Sequence, residues 1–182
     1  SDLDALLVSV RNDLCTGVLS AAVEAGIPVL FEKPGATQAS NLREISDKAK
    51  SKKITMGAMY TNRWSPQIKD VRRIIKGAWL GKIMAVESRM VTSQIRYRDP
   101  RHWLFSQKYA GSGILSWLAC HHIDALCYLL NEHIVEVSAM VANNNPEKVS
   151  VEDTAMVAFK FESGVLGTMH AGYHLAGSAV GY

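Results

Sequence analysis

The sequence predicts an α/β fold in two parts, a parallel sheet followed by an α+β part with a mostly antiparallel sheet. Three observations carry this. Residues 4–10, 19–26 and 28–31 read as strand, helix and strand, the content of one right-handed crossover. Both strand segments are continuous apolar runs rather than alternating ones, which predicts a sheet covered on both faces. From residue 84 onward the strand-like segments alternate instead, as strands with one wet face do.

Taken in order, the run Val29-Leu30-Phe31 ends in Glu32-Lys33-Pro34. An amine is thereby delivered at the carboxyl end of a strand, where open α/β sheets place their chemistry. Thr37 is expected to cap a helix reaching about residue 52, with Leu42, Ile45 and Ala49 at helical spacing. Residues 54–60 form a short strand containing Gly57. Ser65-Pro66 starts the next helix, since serine caps the first turn and proline at the first position loses no hydrogen bond. Ile68, Val71, Ile74 and Ile75 give it an apolar face, and Gly77 stops it. The boundary falls near residue 63, giving parts 1–62 and 63–182. In the second part, 84–94 and 134–143 are strands, and 154–161 with 165–173 form a hairpin around Glu162-Ser163-Gly164. Between them, Leu115, Leu118, Ile123, Leu126 and Leu130 predict a helix over 113–130. Asn143-Asn144-Asn145-Pro146 is a turn.

Composition bounds the function. The 182 residues are 48% hydrophobic and 20% charged, ordinary globular material that can bury one or two cores. The net charge of +3 is spread along the chain, which argues against a nucleic-acid partner. No apolar stretch approaches the roughly 20 residues that span a bilayer, so no membrane partner is expected and the location expected is cytoplasmic. Three cysteines, Cys15, Cys120 and Cys127, follow no metal or redox spacing and read as reduced packing thiols. Cys120-His121-His122 with Asp124 invites a metal reading, but neighbours on a helix point about 100° apart and do not converge on one ion, so no metal is expected.

Several motifs keep a common order and spacing. They are Val10-Arg11-Asn12 after the first strand, Ala21-Ala22-Val23-Glu24-Ala25-Gly26 in the helix and Glu32-Lys33-Pro34 after the second strand. Asn62-Arg63-Trp64-Ser65-Pro66, the stretch 77–83, and Gly111-Ser112-Gly113 through His121 and Asp124 follow. Together they resemble the glucose-fructose oxidoreductase / inositol dehydrogenase (Gfo/Idh/MocA) family. The resemblance implies that the first part is the C-terminal portion of a Rossmann-like parallel sheet. No Gly-x-Gly-x-x-Gly occurs here, and about seventy further residues holding that loop are expected upstream. More strands are expected after residue 173.

What the resemblance implies chemically is an NAD- or NADP-dependent oxidoreductase passing hydride between nicotinamide and a sugar, cyclitol or related polyol. Lys33 and His121 would be catalytic, the histidine moving the hydroxyl proton and the lysine, after a proline expected to be cis, stabilising the alkoxide. Asn12, Glu32, Lys33 and Pro34 would border the cofactor. Asn62, Arg63, Trp103, Trp117 and Asp124 would border the substrate, with Trp117, His121 and Asp124 on one helix face. Trp103 belongs to a basic, aromatic loop with Arg96, Arg98, Arg101 and His102. Trp117 departs from the family, where an aspartate is usual: an indole donates one hydrogen bond and cannot titrate. Either Lys33 and His121 suffice, with Trp117 as a stacking wall for a sugar, or the activity has drifted. The alternatives are a catalytically silent cofactor-binding sensor and a glycoside-cleaving enzyme that oxidises transiently. A one-sided second sheet also predicts a homo-oligomer, dimer or tetramer.

Overall fold

The structure is a computed structural model describing residues 2–146 and 148–175. Strands β1 (Leu6–Val8), β2 (Val29–Phe31) and β3 (Met56–Ala58) form a parallel sheet in that order, with Val8, Phe31 and Ala58 in register at its carboxyl edge. Helix α1 (Asn12–Glu24) and helix α2 (Ala39–Ser51) cover it with a core of Val8, Leu19, Val23, Val29, Phe31 and Ile45. Gly26, at φ 74°, turns the chain from α1 back into β2.

Two expectations are corrected here. Among the described residues the sheet is covered on one face: α1 and α2 pack on one side, and Leu7, Leu30 and Gly57, aligned across the strands, line an open apolar groove on the other. Leu7 is 65% exposed. Thr37 does not cap α2, because the cap position is Gln38, with no side-chain bond to the first turn. Thr37 instead lies against Gly111, whose Cα–H occupies space that a Cβ would contest at 2.7 Å.

A single-turn 3₁₀ segment, Thr61–Trp64, leads to helix α3 (Pro66–Lys76). The Ser65 hydroxyl accepts from the Ile68 N–H at 3.2 Å, as the Ser-Pro start predicts. Gly77 closes the helix without using left-handed backbone; the residues that take positive φ are Ala78 and Gly81.

The second sheet has strand order β4-β7-β6-β5, built from β4 (Ala85–Val91), β5 (Ile134–Ala142), β6 (Thr154–Phe161) and β7 (Leu166–Gly172). β5–β6 and β6–β7 are antiparallel and β4–β7 parallel. Val157, Phe159, Phe161 and Met169 pack against Ile95, Phe105, Ile114 and Leu118, while Met140, Met156 and Leu166 stay exposed.

The helix expected over 113–130 is more articulated than its leucine spacing suggests. A short helix α4 (Gln107–Ala110) breaks at Gly111, whose φ is 84°. A π-helical turn, Leu115–Ala119, follows and passes into α5 (Cys120–Leu130). By length and composition Gln107–Leu130 would be long and apolar enough to cross a bilayer, which corrects the expectation that no such segment exists. Folded, it is broken at Gly111 and carries buried Asp124 in an ion pair.

Candidate active site

The parallel sheet aims the ends of β1 and β2 at the start of α5. Between them opens a crevice of about 520 Å³ lined by Asn12, Glu32, Lys33, Trp103, Trp117 and His121, among others. Two side chains tie its two walls together: Asn12 Nδ2 donates to the Ala110 carbonyl at 2.9 Å, and Lys33 Nζ donates to the Trp117 carbonyl.

Lys33 is 8% exposed and follows β2 directly, before a cis bond to Pro34. Its Nζ lies 3.9 Å from the centre of the Trp117 indole. No carboxylate pairs with it among the described residues, and burial holds its pKa below the ordinary lysine value against the opposing pull of Cys120 and Glu32. The carbonyl it meets belongs to the π turn, a helix irregularity common at functional sites.

His121 stands in the first turn of α5. Its Nδ1 is buried with no hydrogen-bond partner among the described residues, which leaves Nε2 as the ring nitrogen bordering the crevice. Burial lowers its pKa, Lys33 lowers it further, and Asp124 opposes. The Tyr60 ring meets the imidazole edge to face, 6.0 Å between centres. Cys120 and His122 diverge from it, the first donating to the Ser116 carbonyl at 3.0 Å and the second bonding Ser88 through Nδ1 at 2.8 Å.

Trp103 stands edge to face with Trp117, 6.3 Å apart, so two indoles wall one side of the crevice. Arg98 approaches the same indole at 5.9 Å, whereas Arg101 is spent on Asp99. Arg63 and Asp124 lie elsewhere. They line a neighbouring cavity of about 730 Å³ on the other flank of α5, where the guanidinium holds both carboxylate oxygens. The structure therefore separates Asp124 from Trp117 and His121. On α5 it shares a side with Cys120 and Cys127, four and three residues away. Asn62 sits in the connecting 3₁₀ turn, its carbonyl accepting from the Ser65 N–H.

With this geometry in hand, likeness to known proteins has a physical frame. Residues 68–180 match the GFO/IDH/MocA C-terminal domain, and residues 1–60 match the oxidoreductase family's NAD-binding Rossmann fold. The chain belongs to the GFO/IDH/MocA oxidoreductase family. It is 29% identical over 93% of its length to a 1,5-anhydro-D-fructose reductase of Ensifer adhaerens, and 25% identical over 93% to a levoglucosan dehydrogenase of Pseudarthrobacter phenanthrenivorans. These alignments take in 50% and 49% of the two relatives, so the chain spans about half the length of the curated relatives it matches. The solved levoglucosan dehydrogenase in complex with NADH and levoglucosan superposes with a TM-score of 0.85, at 28% identity, over 97% of this chain and 49% of that one.

For a GFO/IDH/MocA chain the cofactor question can be put to the residues present. Ser9, Asn12 and Glu32 ring the carboxyl ends of β1 and β2, and the crevice beside them offers donors from Lys33 and His121. That set fits the nicotinamide end of a dinucleotide, while these residues contain no glycine-rich loop for its pyrophosphate.

One contributor was invisible in the sequence. Glu152, just before β6, accepts from Ser112 Oγ at 2.7 Å, from the Gly113 N–H at 2.6 Å and from the Leu115 N–H at 3.1 Å. It anchors the start of the segment that carries Trp117 and His121. Gly113 is required there, because a Cβ would fall 1.9 Å from the Glu152 carbonyl oxygen. The only sequence signal is a Glu-Asp pair placed directly before an alternating strand.

Proposed function

We propose that this chain is the catalytic half-site of an NAD- or NADP-dependent oxidoreductase that interconverts a hydroxyl and a carbonyl on a sugar, cyclitol or related polyol. The observation that carries this is the convergence of Lys33 and His121, neither bonded to a carboxylate among the described residues, on one crevice at the carboxyl edge of a parallel sheet. When bound there, nicotinamide supplies or accepts the hydride. The chain's own residues do the rest. Lys33 and His121 hold the reacting oxygen, Trp103 and Trp117 offer aromatic faces to the C–H side of a ring, and the buried surroundings strengthen each polar contact. Relatives named for acting on anhydrofructose, levoglucosan and inositol support this substrate class.

Cofactor binding tests the reading. The full-length protein at about 100 times Kd of NADH or NADPH gains roughly 2.7 kcal/mol, seen as a rise in Tm of several degrees. No rise with either cofactor contradicts it. A sensor reading draws support from Trp117, whose carbonyl takes one Lys33 donor and whose ring lies against the amine. Cofactor and ligand binding with no change in nicotinamide absorbance across a polyol panel would favour that reading.

The exposed sheet face bearing Met140, Met156 and Leu166 supports association with a second copy as a dimer or tetramer, checked by sedimentation at micromolar concentration. Three free cysteines fit a reducing, cytoplasmic setting.

A further inference from the structure

The two catalytic candidates differ in what their protons can reach. A neutral imidazole carries one proton, and the nitrogen that carries it is set by the partner of the other. Nδ1 of His121 is buried and meets no hydrogen-bond partner among the described residues. Asp124, in the same turn of α5, has both oxygens on Arg63, and position 117, one turn earlier, is an indole. A proton on Nδ1 would be a buried N–H without an acceptor, a state native proteins almost never hold, whereas an unshared lone pair there is tolerated more readily. Neutral His121 therefore keeps its proton on Nε2, facing the crevice. To serve as a base, Nε2 would first have to give that proton to Nδ1, and accepting another would leave a charged ring with the same orphan.

Lys33 has no such obstacle. One of its N–H groups goes to the Trp117 carbonyl, the indole lies beneath the ammonium, and donors remain for a ligand in the crevice. Resting on the oxidoreductase reading above, we infer that His121 is a fixed Nε2–H donor to the reacting oxygen and that Lys33 is the residue that exchanges the proton. This reverses the roles that the family resemblance implies for the pair. In the reducing direction, with bound reduced nicotinamide supplying the hydride and becoming oxidised, the carbonyl carbon would gain the C–H bond, its π pair would move to oxygen, and that oxygen would take a proton from the Lys33 ammonium, leaving an alcohol and a neutral amine. In the oxidising direction the neutral amine takes the hydroxyl proton as hydride leaves carbon. His121 holds its proton throughout, polarising the C–O bond as a neutral imidazole donor does.

The neighbouring titratable groups agree with this division. Burial pushes Tyr60 up to about 12 and Cys120 up to about 11, so both stay protonated through the working range. His122 is lowered by burial and turned to Ser88, Asp124 is turned to Arg63, and Glu32 acts on Lys33 only through space. Lys33 itself is shifted down towards the range where an amine can trade protons.

Nitrogen-15 NMR of histidine-labelled protein tests the tautomer without any cofactor. The His121 signals, assigned by their loss in His121→Gln, should show a protonated Nε2 and a bare Nδ1 in the neutral ring at about pH 8. A neutral ring protonated on Nδ1 overturns the proposal. In the full-length enzyme, Lys33→Met should abolish the pH limb of kcat/KM, while His121→Gln, which retains an amide donor, should keep it and lose about tenfold less turnover than His121→Ala. A limb that disappears in His121→Gln and survives in Lys33→Met equally overturns it. Failure of the wild-type protein to bind nicotinamide would sink the oxidoreductase reading alone, because the tautomer result does not depend on cofactor.

Discussion

Helix α5 separates two cavities of similar size that treat charge in opposite ways. On one flank Lys33 and His121 border a crevice with no carboxylate bonded to either among the described residues, and both are held below their ordinary pKa values by burial. On the other, Arg63 is bonded to both oxygens of Asp124, and its pKa is raised by that hydrogen-bonded partner. The larger cavity is the neutralised one. Volume alone would choose the wrong flank; the buried donors without a carboxylate partner among the described residues choose the crevice. The paired flank has a separate duty, because Arg63 comes from the 3₁₀ turn after the parallel sheet and Asp124 from α5, so their ion pair fixes where the helix stands relative to Lys33.

The largest effect that would break this contrast belongs to Lys33. Lys33→Met should lower turnover of the full-length enzyme by about 10²–10⁴-fold, measured by nicotinamide absorbance. Stability should move the other way. A lysine whose folded pKa lies below 10.5 destabilises the fold while it is charged, and that cost is relieved as pH rises through the lowered value to the ordinary one. Lys33→Met should therefore have a Tm at pH 7 equal to or above wild type, with the gap narrowing as pH rises.

Next comes Gly113→Ala, which disturbs both flanks by displacing the anchored start of the α5 segment. Overpacking against the Glu152 backbone should cost about 3 kcal/mol, a fall in Tm of about 10 °C. Asp124→Ala should cost about 2 kcal/mol by leaving Arg63 without its carboxylate, read by urea unfolding, with turnover within about tenfold of wild type. A loss of turnover as large as that of Lys33→Met would erase the distinction between the two cavities. Smallest is Ser65→Ala, which removes the cap of α3 and should cost about 1 kcal/mol with no change in turnover.

The sequence carried local information well and partner choice poorly. Lys33 was legible because an apolar run ending in Glu-Lys-Pro fixes both the strand end and what it delivers, and the Ser65-Pro66 start and the hairpin with Gly164 at φ 89° are equally local. Spacing on a helical wheel placed His121 and Asp124 within 60° of each other, but not which of them would meet a residue from another element. Arg63, 61 residues away in sequence, decided that by claiming Asp124. Glu152 was hidden for the same reason, acting on Gly113 from 39 residues away. The π turn has no residue signature, and Thr37 reads as a cap by type yet lies two residues before the helix starts at Ala39. The open face of the first sheet was not legible because an apolar run records which side chains avoid water, not which element covers them.

The most direct test is a crystal structure of the full-length protein with reduced nicotinamide cofactor and a polyol or its ketone bound. The account predicts the reacting oxygen within about 3 Å of both Lys33 Nζ and His121 Nε2, beside the two indoles. A ligand seated instead against Arg63 and Asp124, with Lys33 still turned to the Trp117 carbonyl and touching nothing else, would contradict it.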